Sequence, residues 1–185
     1  MNNTKLFIIL GNQLFNPHLY FKQINQYDFF LCEDYGLCSY VKHHKLKLLH
    51  VLSSMRLYKD ELKSLGLKVH YNSIEDENFY EDYLEKLKKT LSKNKYKKLF
   101  FFEIEDKFFE KKLLTLNKYV EIEVIKSPMF LFGRNEFNEA IKKNKKPMMA
   151  NFYKYSRKKL DILMDKGKPF GSKWSFDEEN RKKLP

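Results

Sequence analysis

Five strand-length apolar runs recur along this chain, each followed by a segment with helical spacing, and that alternation constrains the fold most. Lys5 to Leu10 is almost continuously apolar, as expected of a strand covered on both faces, and Gly11-Asn12-Gln13 ends it with turn chemistry. Tyr27 to Cys32 is a second such run. Val41 to Leu65 reads as a long helix, with Leu48, Val51, Leu52, Met55, Leu62 and Leu65 at three- and four-residue spacings and Gly66 at the C-cap position. Leu67 to Ile74, Lys98 to Glu103 and Val120 to Ile125 read as strands three, four and five. Between them lie helical segments Phe79 to Ser92 and Asp106 to Leu116. Past the Ser127-Pro128 break, Asn135 to Lys143 and Ala150 to Met164 read as helices. From Asp165 onward, Gly167, Pro169 and Gly171 mark a linker.

Strands alternating with helices imply a parallel sheet with right-handed crossovers. The expected fold is α/β: a flavodoxin-like or Rossmann-like doubly wound five-stranded parallel sheet, with a C-terminal helix and linker tail. The expected division is an α/β domain over 1–148 and a helix with interdomain linker over 149–185. A chain of 185 residues, 43% hydrophobic and 16% aromatic, is long enough to bury one full core. No apolar run reaches about 18 residues, so no membrane span is expected. The first apolar run is too short for a signal sequence, and a cytoplasmic location is the expectation. Cys32 and Cys38 form neither a C-x-x-C motif nor a disulfide framework, so both are expected as reduced thiols.

The net charge of +12 has two readings. One is an anionic partner such as DNA. The other is lysine as a default surface residue in a chain rich in Lys, Asn, Phe, Tyr and Ile, as AT-rich coding produces. The basic residues are scattered through Lys86/Lys88/Lys89, Lys142 to Lys146 and Lys158/Lys159, which favours the second.

Open α/β sheets bind ligands past the carboxyl ends of their strands, where the strand order reverses. With the order 3-2-1-4-5, the relevant loops carry Gly11, Asn12 and Gln13, then Cys32, Glu33 and Asp34, then Glu103, Ile104 and Glu105. Amides, carboxylates and backbone groups at one rim suit hydroxyls or ring nitrogens. Two acidic loops suit a phosphate poorly, and neither phosphate-binding glycine motif is present. His43 and His44 are adjacent, so on a helix they point about 100° apart and do not share a metal ion.

Two stretches carry a resemblance. One is the H-H-K-x-K-x-x-x-x-x-S-x-M-R run from His43 to Arg56; the other is the W-S-F-D tail from Trp174, continuing to Lys182. Together with Leu10-Gly11-Asn12-Gln13-Leu14 and the aromatic Asn151-to-Arg157 segment, in that order, they resemble the photolyase-related branch of the photolyase/cryptochrome superfamily. That branch consists of flavoproteins that use light to repair UV-damaged DNA, often the (6-4) photoproduct. The resemblance implies an N-terminal antenna domain holding a ribityl-lumazine-type or pterin chromophore. It also implies that FAD, and any iron–sulfur cluster, belongs to a helical domain beyond these residues. On that likeness Val51 and Met55 would face the ring, Asn12 and Glu33 would bond its polar edge or side chain, and Tyr40 and His44 would close the side. DNA would be a partner of the intact protein, and this chain would not perform repair alone. An apolar last helix and tail would then favour docking on the FAD domain or self-association.

Two positions depart from the pattern: Asn12, where many relatives carry Asp, and Leu37-Cys38, where they often carry Glu-Ala. A different chromophore, a remnant without ligand, a stand-alone ligand-binding module and a nucleic-acid binder therefore stay open. Trp174 reads as an anchor of the linker on a neighbouring domain. The aromatics of the last helix read either as part of that interface or as ordinary core.

Overall fold

The computed structural model describes residues 4–21, 23–142, 147–177, 180 and 182. Lys143, Lys145 and Lys146 of the lysine run, and Glu178, Glu179 and Arg181 of the tail motif, lie outside the described residues. The chain divides into two compact units, 1–129 and 130–185.

The first unit is built on β1 (Lys5–Ile8), β2 (Asp28–Cys32), β3 (Val69–Asn72), β4 (Lys98–Phe102) and β5 (Glu121–Ile125). All four pairings are parallel, as the sequence predicts, and the order is β3-β2-β1-β4-β5, the one supposed above in locating the ligand loops. Central β1 aligns Phe7 with Phe29 on one side and Phe100 on the other. Alternate residues enter two cores. Leu6, Ile8, Phe30, Leu99 and Phe101 join α4 (Tyr83–Asn94) and α5 (Lys107–Leu114). Phe7, Ile9, Phe29, Leu31, Phe100 and Phe102 join α3 (Lys45–Ser64). Burial on both faces is why these strands read as continuous apolar runs rather than as alternation. Phe7 meets Phe21, Tyr27, Phe29, Phe100 and Phe102 with ring centroids 4.9 to 6.4 Å apart, mostly in tilted or edge-on geometry. Strand β5, at the edge, presents exposed Glu121 and Glu123, charges that discourage edge-to-edge pairing.

Side-chain caps decide where the helices begin. The Asp82 carboxylate accepts from the Leu84 amide at 2.9 Å, so α4 starts at Tyr83, four residues later than the periodicity suggests. His44 Nδ1 accepts from the Leu46 amide at 3.2 Å, so α3 starts at Lys45 rather than Val41. Two short helices escape a periodicity reading: α1 (Pro17–Tyr20), capped by Asn16, and α2 (Tyr35–Ser39), capped by Asp34. Among the described residues no helix is long and apolar enough to cross a membrane.

The second unit holds α6 (Arg134–Lys142) and α7 (Met149–Leu160). A sequence boundary at 148 groups α6 with the sheet, but its packing is with α7. Phe137 lies 5.0 Å from Phe152 in edge-on geometry, and Lys159 pairs with Glu136 at 3.0 Å. The tail is not a plain linker. It folds back as an antiparallel hairpin of β6 (Met164–Asp165) and β7 (Lys168–Pro169). Buried Arg157 organises it, donating to the carbonyls of Ile162, Leu163 and Trp174 and stacking 5.4 Å from the Trp174 ring. Lys154 and Lys158 add cation–π contacts to the same ring. Trp174 thus has its anchor within its own unit. It is the only tryptophan, so its emission reports on this contact. Arg157→Ala should red-shift and broaden that emission while leaving the sheet's far-ultraviolet signature in place. An unchanged emission maximum would show that the guanidinium does not hold the tail.

Candidate functional site

At the carboxyl ends of β1, β2 and β4 the sheet opens into a cavity of about 310 Å³. This is the expected crevice, since the chain turns from β1 toward β2 on one side and β4 lies on the other. Its apolar wall comes from α3, through Leu48, Val51, Leu52 and Met55, with Leu10, Ile104 and Phe109 opposite. Helix α2 closes one side with Leu37 and Cys38. Asn12, Tyr40, His43 and Lys47 supply polar groups. A mostly apolar concavity with a few polar groups is the usual form of a small-molecule site, and this volume is at the small end of that range.

Gly11 explains how α3 comes so close. A Cβ at this position would lie 2.8 Å from Val51 Cγ1 and 2.9 Å from Met55 Sδ. Any side chain there would displace the Val51 and Met55 side chains and deform the wall.

Glu33 fixes the same helix from the other direction. Its carboxylate is fully buried and accepts four hydrogen bonds. Arg56 Nε at 2.6 Å and the Tyr71 hydroxyl at 2.5 Å reach one oxygen; Arg56 Nη2 and the Ile74 amide, both at 2.9 Å, reach the other. Arg56 also binds Glu75 at 3.0 Å. Burial alone pushes the Glu33 carboxyl up, but the bonds from Arg56, Tyr71 and Ile74 outweigh it and hold its pKa below the ordinary value. With both oxygens engaged, Glu33 braces the cavity wall rather than offering a free acceptor.

Asp34 is held differently. One oxygen caps α2 through the Leu37 amide at 2.9 Å, and the other pairs with Lys86 at 3.2 Å. Lys86 is itself buried and donates to the Phe79 carbonyl at 2.8 Å. The sequence groups Lys86 with surface lysines; its place on the inner face of α4 makes it a buried counterion instead. Burial pushes the neighbouring Cys32 thiol up to about 12, so it stays protonated at neutral pH and is no nucleophile. Both cysteines are free thiols. The acidic rim that argued against phosphate is therefore largely compensated, by Arg56 at Glu33 and by Lys86 at Asp34.

Of the residues expected at the site, Gly11, Asn12, Cys32, Glu33, Asp34, Tyr40, Val51 and Met55 line the cavity. Gln13, His44 and Glu103 stand outside its lining. Buried Gln13 donates through Nε2 to the Glu103 carbonyl at 2.9 Å, tying the β1 loop to the end of β4. The Glu103 carboxylate accepts from the Ser127 amide at 3.3 Å. His44 is spent as the α3 cap, and His43 lines the cavity in its place, 5.8 Å from the Tyr40 ring. Leu37, named as a departure from the family pattern, and Ile104, named in the β4 loop, also line the cavity, whereas Asp106 and Phe109 carry no such expectation. Only Asp106 carried a local signal, as the cap of α5 through Phe108 and Phe109.

Two outcomes follow from these pairings. Lys86→Met should cost about 3–5 kcal/mol in urea unfolding, because it strands Asp34 in the interior; Lys88→Met, on the solvated side, should have no comparable effect. Equal midpoints would show that Lys86 is not a structural counterion. Glu33 has a lower pKa folded than unfolded, so its stabilisation is complete above about pH 4.3 and is lost as pH falls through the folded value. Glu33→Gln should be less stable at neutral pH and show a flatter acid limb of stability against pH. An acid limb as steep as that of the parent would refute the assignment.

The family model described as deoxyribodipyrimidine photo-lyase-related protein matches residues 7–185. The chain is 27% identical over 182 residues to a (6-4) photolyase of Agrobacterium fabrum, an alignment covering 96% of this chain and 36% of that protein. It is 28% identical over 153 residues to an uncharacterized protein of Acanthamoeba polyphaga mimivirus, covering 79% of this chain and 75% of the viral one. The chain thus spans about a third of the photolyase's length and three quarters of the viral protein's.

Proposed function

The chain belongs to the deoxyribodipyrimidine photo-lyase-related protein family, and on that premise we propose that its sheet-bearing unit is an antenna-type domain whose central cavity takes a ribityl-lumazine-type or pterin chromophore. The observation that carries this reading is the cavity of about 310 Å³ at the strand ends, with an apolar helical wall and a polar mouth. Such a site suits a flat bicyclic ring with a polar arm. When bound, the chromophore would supply light absorption and pass the excitation on to a flavin.

The chain's own residues have defined parts. Val51 and Met55 pack one face, and Gly11 lets them approach the strand end. Leu37 and Phe109 exclude water from the far side. Asn12 and Tyr40, both exposed at the mouth, are placed to hydrogen-bond a polar arm. Glu33 and Arg56 hold the wall in position without contacting the ring directly. In the intact protein, an FAD-binding helical domain would receive the energy and perform light-driven repair of UV-damaged DNA.

A second reading, a stand-alone ligand-binding module, draws on the viral relative, three quarters of whose length aligns with this chain. Both readings need an occupied cavity. Purified protein should show near-stoichiometric lumazine or pterin absorption and fluorescence, with the same compound released on denaturation and identified by mass. Val51→Trp should abolish the signal by filling the cavity. A colourless protein that also fails to take up added ribityl-lumazine would overturn the antenna assignment.

A further inference from the structure

Residues 35–59 contain no Asp or Glu, although the chain has 24 of them. That stretch makes α2, the turn after it and most of α3, so it supplies one whole side of the central cavity. The turn and the start of α3 read Lys42-His43-His44-Lys45-Leu46-Lys47. His43 and Lys47 line the cavity, and Lys42, Lys45 and Lys47 are exposed. Among the described residues none of these three lysines pairs with a carboxylate. Elsewhere in the same unit lysines do pair: Lys59, Lys68, Lys88, Lys98 and Lys112 each meet one.

The acids that line the cavity are in the opposite condition. Glu33 is spent on Arg56, Tyr71 and the Ile74 amide, and Asp34 on Lys86 and the Leu37 amide. Asp106 keeps its charge, but it stands on the α5 side, where it caps that helix. Free charge on the α3 side of the mouth is therefore positive. Lys45 and Lys47 also stand in the first turn of a 20-residue helix, where a positive charge opposes the helix dipole. The helices α4 and α5 carry Glu85 and Glu110 at the corresponding place. Cations gathered without counterions in an unfavourable dipole field are a local cost, which an anion held at the mouth removes. The neighbouring groups fit the same guest. Asn12, Tyr40 and His43 border the cavity and can donate to anionic oxygens, whereas the wall of Val51, Leu52 and Met55 suits an uncharged ring.

Resting on the antenna reading above, we propose that the ligand of the central cavity carries its charge at one end. It is a planar heterocycle with an anionic arm, a phosphate ester or a carboxylate, that leaves the cavity over the turn between α2 and α3 and ends beside Lys47. Lys42 and Lys45 add attraction through space rather than contact. The charge of the arm, more than its hydroxyls, then decides which chromophore this chain selects.

Two pairs of probes test this by fluorescence titration of the purified protein. One is ribityl-lumazine against the same compound phosphorylated at the end of its arm; the other is a methylpterin against the matching carboxypterin. At low salt the charged member of a pair should bind about tenfold tighter or more, as several exposed charge pairs supply, and the advantage should shrink as salt rises. The pair that shows it identifies the anion. The triple variant Lys42→Gln/Lys45→Gln/Lys47→Gln should erase the advantage and leave affinity for the neutral member unchanged, which also reports an intact fold. Lys63→Gln/Lys93→Gln/Lys97→Gln, an equal loss of charge at positions that do not line the cavity, should preserve it. Equal affinity within both pairs, or an advantage that survives in the first triple variant or falls equally in the second, would overturn the anionic arm and leave the antenna reading standing. No uptake of any of these compounds would overturn both.

Discussion

The buried carboxylate of Glu33 is the joint on which the site depends. It stands just past β2, yet it binds α3 through Arg56, the end of β3 through Tyr71, and the following loop through the Ile74 amide. Three elements distant in sequence are thereby fixed to one point. A bidentate guanidinium–carboxylate pair is directional as well as strong. It sets not only how far α3 lies from the sheet but also how the helix is turned about its axis. That rotation turns Val51 and Met55 toward the strand ends. From the opposite side, Gly11 allows the contact by having no Cβ.

Charge compensation completes the picture. The rim looks acidic in sequence, and its carboxylates are nevertheless partnered: Glu33 by Arg56, Asp34 by Lys86, Asp106 by amides of α5. Burying Asp34 with Lys86 gains little stability over an apolar pair. Its structural consequence is placement, because the same carboxylate caps α2, the helix that closes one side of the cavity. What remains at the central mouth is apolar and aromatic surface with a few polar groups from Asn12, Tyr40, His43 and Lys47.

Much of the fold was legible in the sequence because a doubly wound sheet writes itself into hydrophobic pattern. Runs such as Leu6 to Leu10 and Leu99 to Phe102 are buried on both faces, and no other element of this length needs that pattern. The approximate place of the site was legible for the same reason, since the loops after β1 and β2 must meet at the strand ends. The short helices, the start of α4 and the folded tail were not. They depend on single side chains, Asn16, Asp34, Asp82 and Arg157, whose effect is a cap or a carbonyl contact rather than a period.

The sequence by itself determined the class of fold, the strand order's plausible form and the loops that meet at the cavity, because burial periodicity and turn chemistry are local; Val51, Met55 and Tyr40 came from the family resemblance. Only the tertiary structure decided what those residues do. Glu33, Gln13 and His44 look alike as polar residues near strand or helix ends. Packing makes the first a brace for α3, the second a tie to the Glu103 carbonyl and the third a helix cap. It also buries Lys86, one lysine among many in a chain of charge +12, as the partner of Asp34. Whether a polar group meets ligand, backbone or counterion is fixed by neighbours brought from dozens of residues away, and no local pattern carries that information.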